Sequence, residues 1–266
     1  MSELSVYASV ARLAFRRQSR YRGAMFASLF VGLMFAYLVA SLLRAVVAEK
    51  TAIDGWNAKD FVTYAFAAQS ILRVVLAFGD RELGQRVMSG DIATDLARPV
   101  NLAGWSIAQV YGKAAVQFLV GTIPTFAAGF IVFDLRLPNA RNALAAAVSL
   151  IFALFVTGCF WLIVNLSAFW LLNGKGTVQL ATIVFYVSAG IAFPLVMLPG
   201  WIEPAARWTP FASIVEYPVE VFLGKHATNA GLLNVYGRQL FWSAVLLAIA
   251  LLLIRRGRHR VVVQGG

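Results

Sequence analysis

Charge, sulfur and catalytic motifs are scarce in this chain, and each scarcity excludes something. Of its 266 residues 13% are charged, about half the share found in soluble domains, so most of it cannot present a surface to water. One cysteine, Cys159, leaves no partner for an intrachain disulfide. The two histidines, His226 and His259, fall in segments that the topology argued below puts on opposite sides of a membrane, which removes a shared metal site. HExxH, CxxC, G-x-S-x-G and the phosphate-cradling GxxxxGK[ST] are all missing. ATP hydrolysis by this chain is thereby excluded, and no acid, base and nucleophile meet at one depth as a lipid-modifying enzyme requires.

What is abundant is apolar: 60% of the residues, with a mean hydropathy of +0.75. They are gathered into runs, and crossing about 30 Å of hydrocarbon takes ~20 helical residues. AMFASLFVGLMFAYLVASLL, residues 24–43, is free of charge between Arg22 and Arg44. Further runs occupy 61–79, 114–133, 143–172, 177–198 and 235–254, which makes six expected spans. In lipid a backbone must satisfy its own hydrogen bonds, so runs of this length predict helices, whereas barrel strands would be shorter and alternating. The first run exceeds the apolar core of a signal peptide, about 7–15 residues, and is expected to be an uncleaved span. With no repeat or low-complexity tract, residues 1–266 read as one all-α integral membrane domain.

The formal charge of +11 does not predict a nucleic-acid partner, because no soluble segment is long enough to build a basic domain with a core. The basic residues sit at membrane edges, where they set orientation. Arg12, Arg16, Arg17, Arg20 and Arg22 precede the first span; Arg255, Arg256, Arg258 and Arg260 follow the last. Both termini are therefore expected in the cytoplasm, which agrees with an even number of spans. One detail opposes this: Arg136 and Arg141 lie in an expected external loop, against Lys175 alone in an internal one.

Three connections carry more order than a tether needs. Residues 2–22 place Leu4, Tyr7, Ala11 and Phe15 opposite Ser5, Ser9, Arg12 and Arg16, an amphipathic interfacial helix. In the loop 80–104, Glu82 and Arg86 form an i, i+4 pair, Ser89 and Gly90 break the helix, Asp91 is expected to cap a second short helix IATDLA, and Pro99 stops it at Arg98. The result is a rigid peg facing the cytoplasm. The connection 199–234 mixes four prolines with aromatics, Trp201, Trp208, Pro210 and Phe211 among them, and Glu216; it predicts short external or re-entrant helices and a candidate gate.

Ionisable groups inside the spans are few. Arg73 and Lys113 are close enough to a span end to snorkel to the cytoplasmic surface, with substrate contact as the alternative reading. No chain of intramembrane acids is visible, which argues against a proton-coupled carrier. Aromatic residues such as Phe118, Phe126 and Phe160 are candidates for an apolar path, with ordinary helix packing as the alternative.

Taken in order, SGDIATDLARPVN after the second span, LPGWIEPAARWTPFASIVEYPVEVFLGK before the sixth and the terminal RRGRHRVVVQGG resemble the permease subunits of bacterial ATP-binding-cassette exporters of the type-2 export class, in the small six-span branch paired with drug-resistance-like ATPases. The resemblance covers essentially the whole chain. It implies an elbow helix at 2–22, a coupling helix to which Glu82, Gly90, Asp91, Asp95, Arg98 and Pro99 fall by position, and short external helices before the last span. It further implies two separate ATPase subunits that hold ATP and Mg, a second permease chain, identical or homologous, and the bacterial inner membrane. The expected cargo is a drug, an organic cation or a lipid-linked molecule, and this chain is expected to bind no cofactor. A membrane scaffold that translocates nothing is the alternative.

Overall fold

Along the middle of the first long helix small residues are buried, with Met25 and Leu43 as the large ones near its ends. In the computed structural model, which describes residues 3–48, 53–76, 82–97, 100–171 and 174–260, helix α2 (Arg22–Val46) turns Gly32, Ala36 and Ala40 inward. Its Phe26, Phe30 and Leu42 are more than half exposed. A soluble helix does the opposite; close backbone approach at small residues with large apolar groups outside is membrane packing.

Helix α1 (Glu3–Ser19) precedes α2. Helix α3 (Ala58–Leu76) packs along α2, and the short helices α4 (Glu82–Ser89) and α5 (Ile92–Leu96) follow it. Helix α6 (Leu102–Gln117) continues through a π turn, Phe118–Thr122, into α7 (Ile123–Val132). Pro124 supplies no N–H to the turn before it, and a local change of hydrogen-bond register absorbs the missing bond. Helix α8 (Ala140–Leu166) ends in a 3-10 turn, Ser167–Phe169. Helices α9 (Gly174–Ser188), α10 (Glu203–Arg207), α11 (Glu216–Phe222) and α12 (Asn229–Arg258) complete the order. Asn101, Asn139 and Thr228 cap α6, α8 and α12 with side-chain oxygens, each such cap being worth about 1 kcal/mol.

Among the described residues, four helices are long and apolar enough to cross a membrane: Arg22–Val46, Leu102–Val132, Ala140–Phe169 and Asn229–Arg258. The remaining two expected spans are shorter. Helix α3 has 19 residues and carries Lys59, Asp60 and Arg73. The run 177–198 is not one helix: α9 stops at Ser188, Gly190 takes a φ of +74°, and a 3-10 turn at Leu195–Met197 follows Pro194. Gly190 also approaches α3 and α11 so closely that a Cβ there would strike Tyr64 Oη and Glu216 Oε2, so glycine is required twice over.

Helices α8 and α12 form the most extensive pairing after that of α1 with α6. Gln239 of α12 donates to the carbonyls of Ser149 at 3.0 Å and Ser213 at 2.9 Å, so its buried amide is satisfied across three segments. Helix α1 lies along α6, with Tyr7 over Gly104 and Ala11 and Ala14 against Gly112, while Leu4 and Leu13 stay exposed.

Candidate functional site

The molecule has two polar ends and an apolar cleft between them. At one end, α4 and α5 fold into a hairpin on which Leu83, Val87 and Ile92 pack against Leu162, Leu166, Ala250 and Ile254 of α8 and α12. The Gly84 N–H donates to Asn165 Oδ1 at 2.9 Å, and Asn165 itself donates to the Trp161 carbonyl. The hairpin is thus bolted to α8 by a buried amide. Within it Arg86 reaches across the turn to Asp95, Nε to Oδ2 2.7 Å, and Arg17 of α1 meets Glu82 at 3.0 Å.

Two expectations are corrected here. The Asp91 side chain does not cap α5: its residue has helical backbone angles, and its carboxylate accepts from the Ser89 hydroxyl at 2.7 Å. Helix α5 can dispense with that cap because the preceding Gly90, at φ +82°, already turns the chain into it. Arg86 takes Asp95 as its acid partner rather than Glu82, since the turn brings a nearly buried carboxylate closer than the helix face does. Arg98 and Pro99 lie outside the described residues.

The cleft lies between α3, α6–α7, α8 and α11, with a volume of ≈ 840 Å³. Alanines on α8, Ala143, Ala146 and Ala147, leave the space that larger side chains would fill, and Phe118, Phe126 and Phe222 line the other side. Two of its polar groups are satisfied within the protein, Ser70 donating to the Phe66 carbonyl and Tyr111 to that of Ile151, while the buried Thr122 Oγ1 has no hydrogen-bond partner among the described residues. Phe160 is not part of it. That ring packs against Trp161, Phe185 and Phe211 with centroids 5.2, 6.4 and 5.3 Å away, so it belongs to the core.

Arg73 does not snorkel. It is 8% exposed, and donates to the carbonyls of Ser28 and Leu29 on α2 at 3.5 and 3.3 Å, to the Gly121 carbonyl at 3.3 Å and to Thr125 Oγ1. The reason is local. A π turn offers a carbonyl that a regular helix would not, and Gly32 leaves a space that a Cβ, 2.8 Å from the guanidinium carbon, would fill. No carboxylate among the described residues pairs with it.

At the other end, acids meet in pairs and networks. Asp60, 1% exposed, holds Arg136 at 2.8 Å and Lys225 at 2.7 Å. Burial pushes its carboxyl up, yet hydrogen bonds from Lys225, Arg136 and the Asn57 N–H outweigh this and leave it below the ordinary aspartate value. The Arg136 charge that opposed the expected orientation is thereby paired within the protein, on a carboxylate it shares with Lys225. Glu220 takes both Nη atoms of Arg207, at 2.8 and 3.0 Å, and the His226 ring nitrogen at 2.8 Å. Glu216 is fully buried, with Oε1 accepting from the Leu195 N–H at 3.0 Å and Oε2 in hydrogen-bond contact with Tyr64. Burial first, and then Glu220, push the Glu216 carboxyl well above the usual range, while hydrogen bonds with His226 and Arg207 overcome burial and hold Glu220 below it.

Of the expected gate residues, only Glu216 enters this network. Phe211 stacks in the core, Trp201 is 81% exposed, and Trp208 lies under the Arg238 guanidinium, 4.8 Å from ring centre. Pro210 sits in the half-buried turn between α10 and α11. Asp60, Tyr64, Arg207, Glu220 and His226 were not legible as one site. The only local signal is Glu216 and Glu220 four apart in EYPVE, with Pro218 between them.

A family model described as ABC-2 family transporter protein matches residues 31–265. No curated protein matches the chain.

Proposed function

The chain belongs to the ABC-2 transporter family, and from that premise we propose that it is the membrane permease of an ATP-driven exporter, working with separate ATPase subunits and a second permease chain. The observation that carries this reading is the α4–α5 hairpin. It is compact, braced by Arg86 and Asp95, and joined to α8 through Gly84 and Asn165. Force applied to such an element reaches α8, whose alanine face forms one wall of the cleft.

In this reading a pair of ATPases holds ATP and Mg, and their closure moves the hairpin. Glu82, Gly90, Asp91 and Asp95 form the coupling element, with Arg98 and Pro99 added by the family resemblance. This chain contributes no cofactor site. The hairpin end then faces the cytoplasm of a bacterial inner membrane, and the acid network faces outward. Phe118 and Phe126 line this chain's share of the path, and the cleft's apolar walls favour a hydrophobic or amphipathic cargo; Arg73 acts behind the wall rather than on the cargo.

Purification of the tagged chain from its native membrane in mild detergent tests this. A P-loop ATPase recovered stoichiometrically, and lost when residues 89–99 are replaced by a Gly/Ser linker, is the expected result. Recovery without an ATPase, under conditions that keep a known membrane complex intact, would favour a scaffold that translocates nothing.

A further inference from the structure

We propose that Glu216 is a proton-binding site, occupied in this conformation, whose bound proton joins α3, the turn at 189–195 and α11. The argument is a count of hydrogens. The Tyr64 hydroxyl has one to give, and its oxygen touches two others: the Gly190 carbonyl at 2.6 Å and Glu216 Oε2. A carbonyl can only accept, so the tyrosine hydrogen points at Gly190. The contact with Oε2 then needs a hydrogen on the carboxyl. Giving the tyrosine hydrogen to Glu216 instead would leave two buried oxygens facing each other at 2.6 Å with nothing between them. The other carboxyl oxygen accepts from the Leu195 N–H. One oxygen accepting and one donating is the pattern of a carboxylic acid.

The charged surroundings agree. Among the described residues the titratable groups facing Glu216 are Tyr64 from α3, Glu220 one turn along α11, and Arg207 from α10. The turn at 189–195 presents backbone only. Arg207 draws the Glu216 carboxyl down through its charge alone, because its hydrogen bonds go elsewhere, from the Nη atoms to Glu220 and from Nε to Glu203 at 2.8 Å. An ionised Glu216 would therefore stand one helical turn from a second carboxylate with no cation of its own. Loss of the proton draws the Tyr64 hydrogen to Glu216 and away from Gly190. The strut that holds the turn after α9 against α3 then opens, so the end of the bundle opposite the α4–α5 hairpin responds to proton release.

The site is independent of the transport reading, and its test needs no partner. Infrared spectroscopy of the full-length chain in detergent, titrated in pH, should show a protonated-carboxyl C=O band at pH 7 that is absent in Glu216→Gln and lost from the wild type at alkaline pH, a loss that should move to lower pH in Glu220→Gln, where the neighbouring charge is gone and Arg207 is released. No such band at pH 7, or one that E216Q leaves and E220Q removes, overturns the assignment. Folding of the variant is itself informative. Glutamine offers the same one acceptor and one donor, so E216Q should melt with the wild type at pH 7 while E216A melts lower. An E216Q as unstable as E216A means that the native group is an ionised carboxylate, and also overturns it.

Discussion

The Arg73 guanidinium donates to the Gly121 carbonyl at 3.3 Å, inside the π turn that interrupts one of the long apolar helices. A charge about 9 Å along α2 from its first residue is accommodated because two segments each surrender something. The π turn yields a carbonyl, α2 yields two more at Ser28 and Leu29, and Gly32 yields volume. Phe118, Leu119 and Thr122 of the same turn face the cleft. Arg73 is therefore a positioning residue that grips this cleft wall from behind without lining the cleft.

Gly32→Ala should displace the guanidinium. Overpacking of this kind costs about 1–3 kcal/mol, so the thermal midpoint in detergent should fall by roughly 2–12 °C. Arg73→Lys should fall as well, because an ammonium cannot span α2 and the π turn together. Midpoints equal to wild type in both variants would contradict the cross-link.

Asp60 gives the opposite end an acid limit. Its folded-state pKa is depressed below 3.8, so the stability it contributes is fully present above the unfolded value and is lost as pH falls through the folded one. Asp60→Asn should cost roughly 1–3 kcal/mol at neutral pH, less than a fully buried pair because Arg136 is half exposed. The gap between the variant and the wild type should close below about pH 4. Unfolding midpoints measured across that range decide it, and a gap that stays constant with pH would assign the effect to shape rather than charge.

Opening the α4–α5 hairpin should separate ATP hydrolysis from transport. In the reconstituted complex, Arg86→Ala or Asp95→Ala should lower cargo-stimulated ATPase by about an order of magnitude, the effect of ~1.4 kcal/mol, with the spans still inserted. Exchanging the two charges should restore part of it. Full stimulation in both single variants would remove the hairpin from the coupling path.

Filling the cleft should block passage without disturbing assembly. Ala147→Phe places a ring against the wall carrying Phe118 and Phe126, and transport should drop by about tenfold, again ~1.4 kcal/mol. ATPase recovery in the pull-down should stay unchanged. Undiminished transport would place the path elsewhere.

How much of this was readable beforehand follows from the range of each interaction. Apolar runs announce themselves because composition alone sets membrane length, and the hairpin was readable from Gly90 and its neighbours because a helix break is local. The end of α9 at Ser188 was hidden, since Gly190 and Pro194 are common enough inside membrane helices to pass unnoticed. Arg73 was misread because snorkelling is the local solution for a lone cation, whereas its real partners lie more than forty residues away on both sides. The acid network depends on Tyr64 meeting Glu216 across 152 positions, a contact that no spacing rule within a segment can anticipate.

The most direct measurement uses one introduced thiol. Cys159 is fully buried, so a cysteine introduced at Thr94, exposed on α5, is the reactive one. Thr94→Cys, treated in native membranes with a short thiol-to-amine cross-linker, should yield one principal adduct that mass spectrometry identifies as an ATP-binding-cassette ATPase, and the adduct should vary with added ATP. Efficient labelling of Thr94→Cys with no ATPase adduct, with or without nucleotide, would contradict the account.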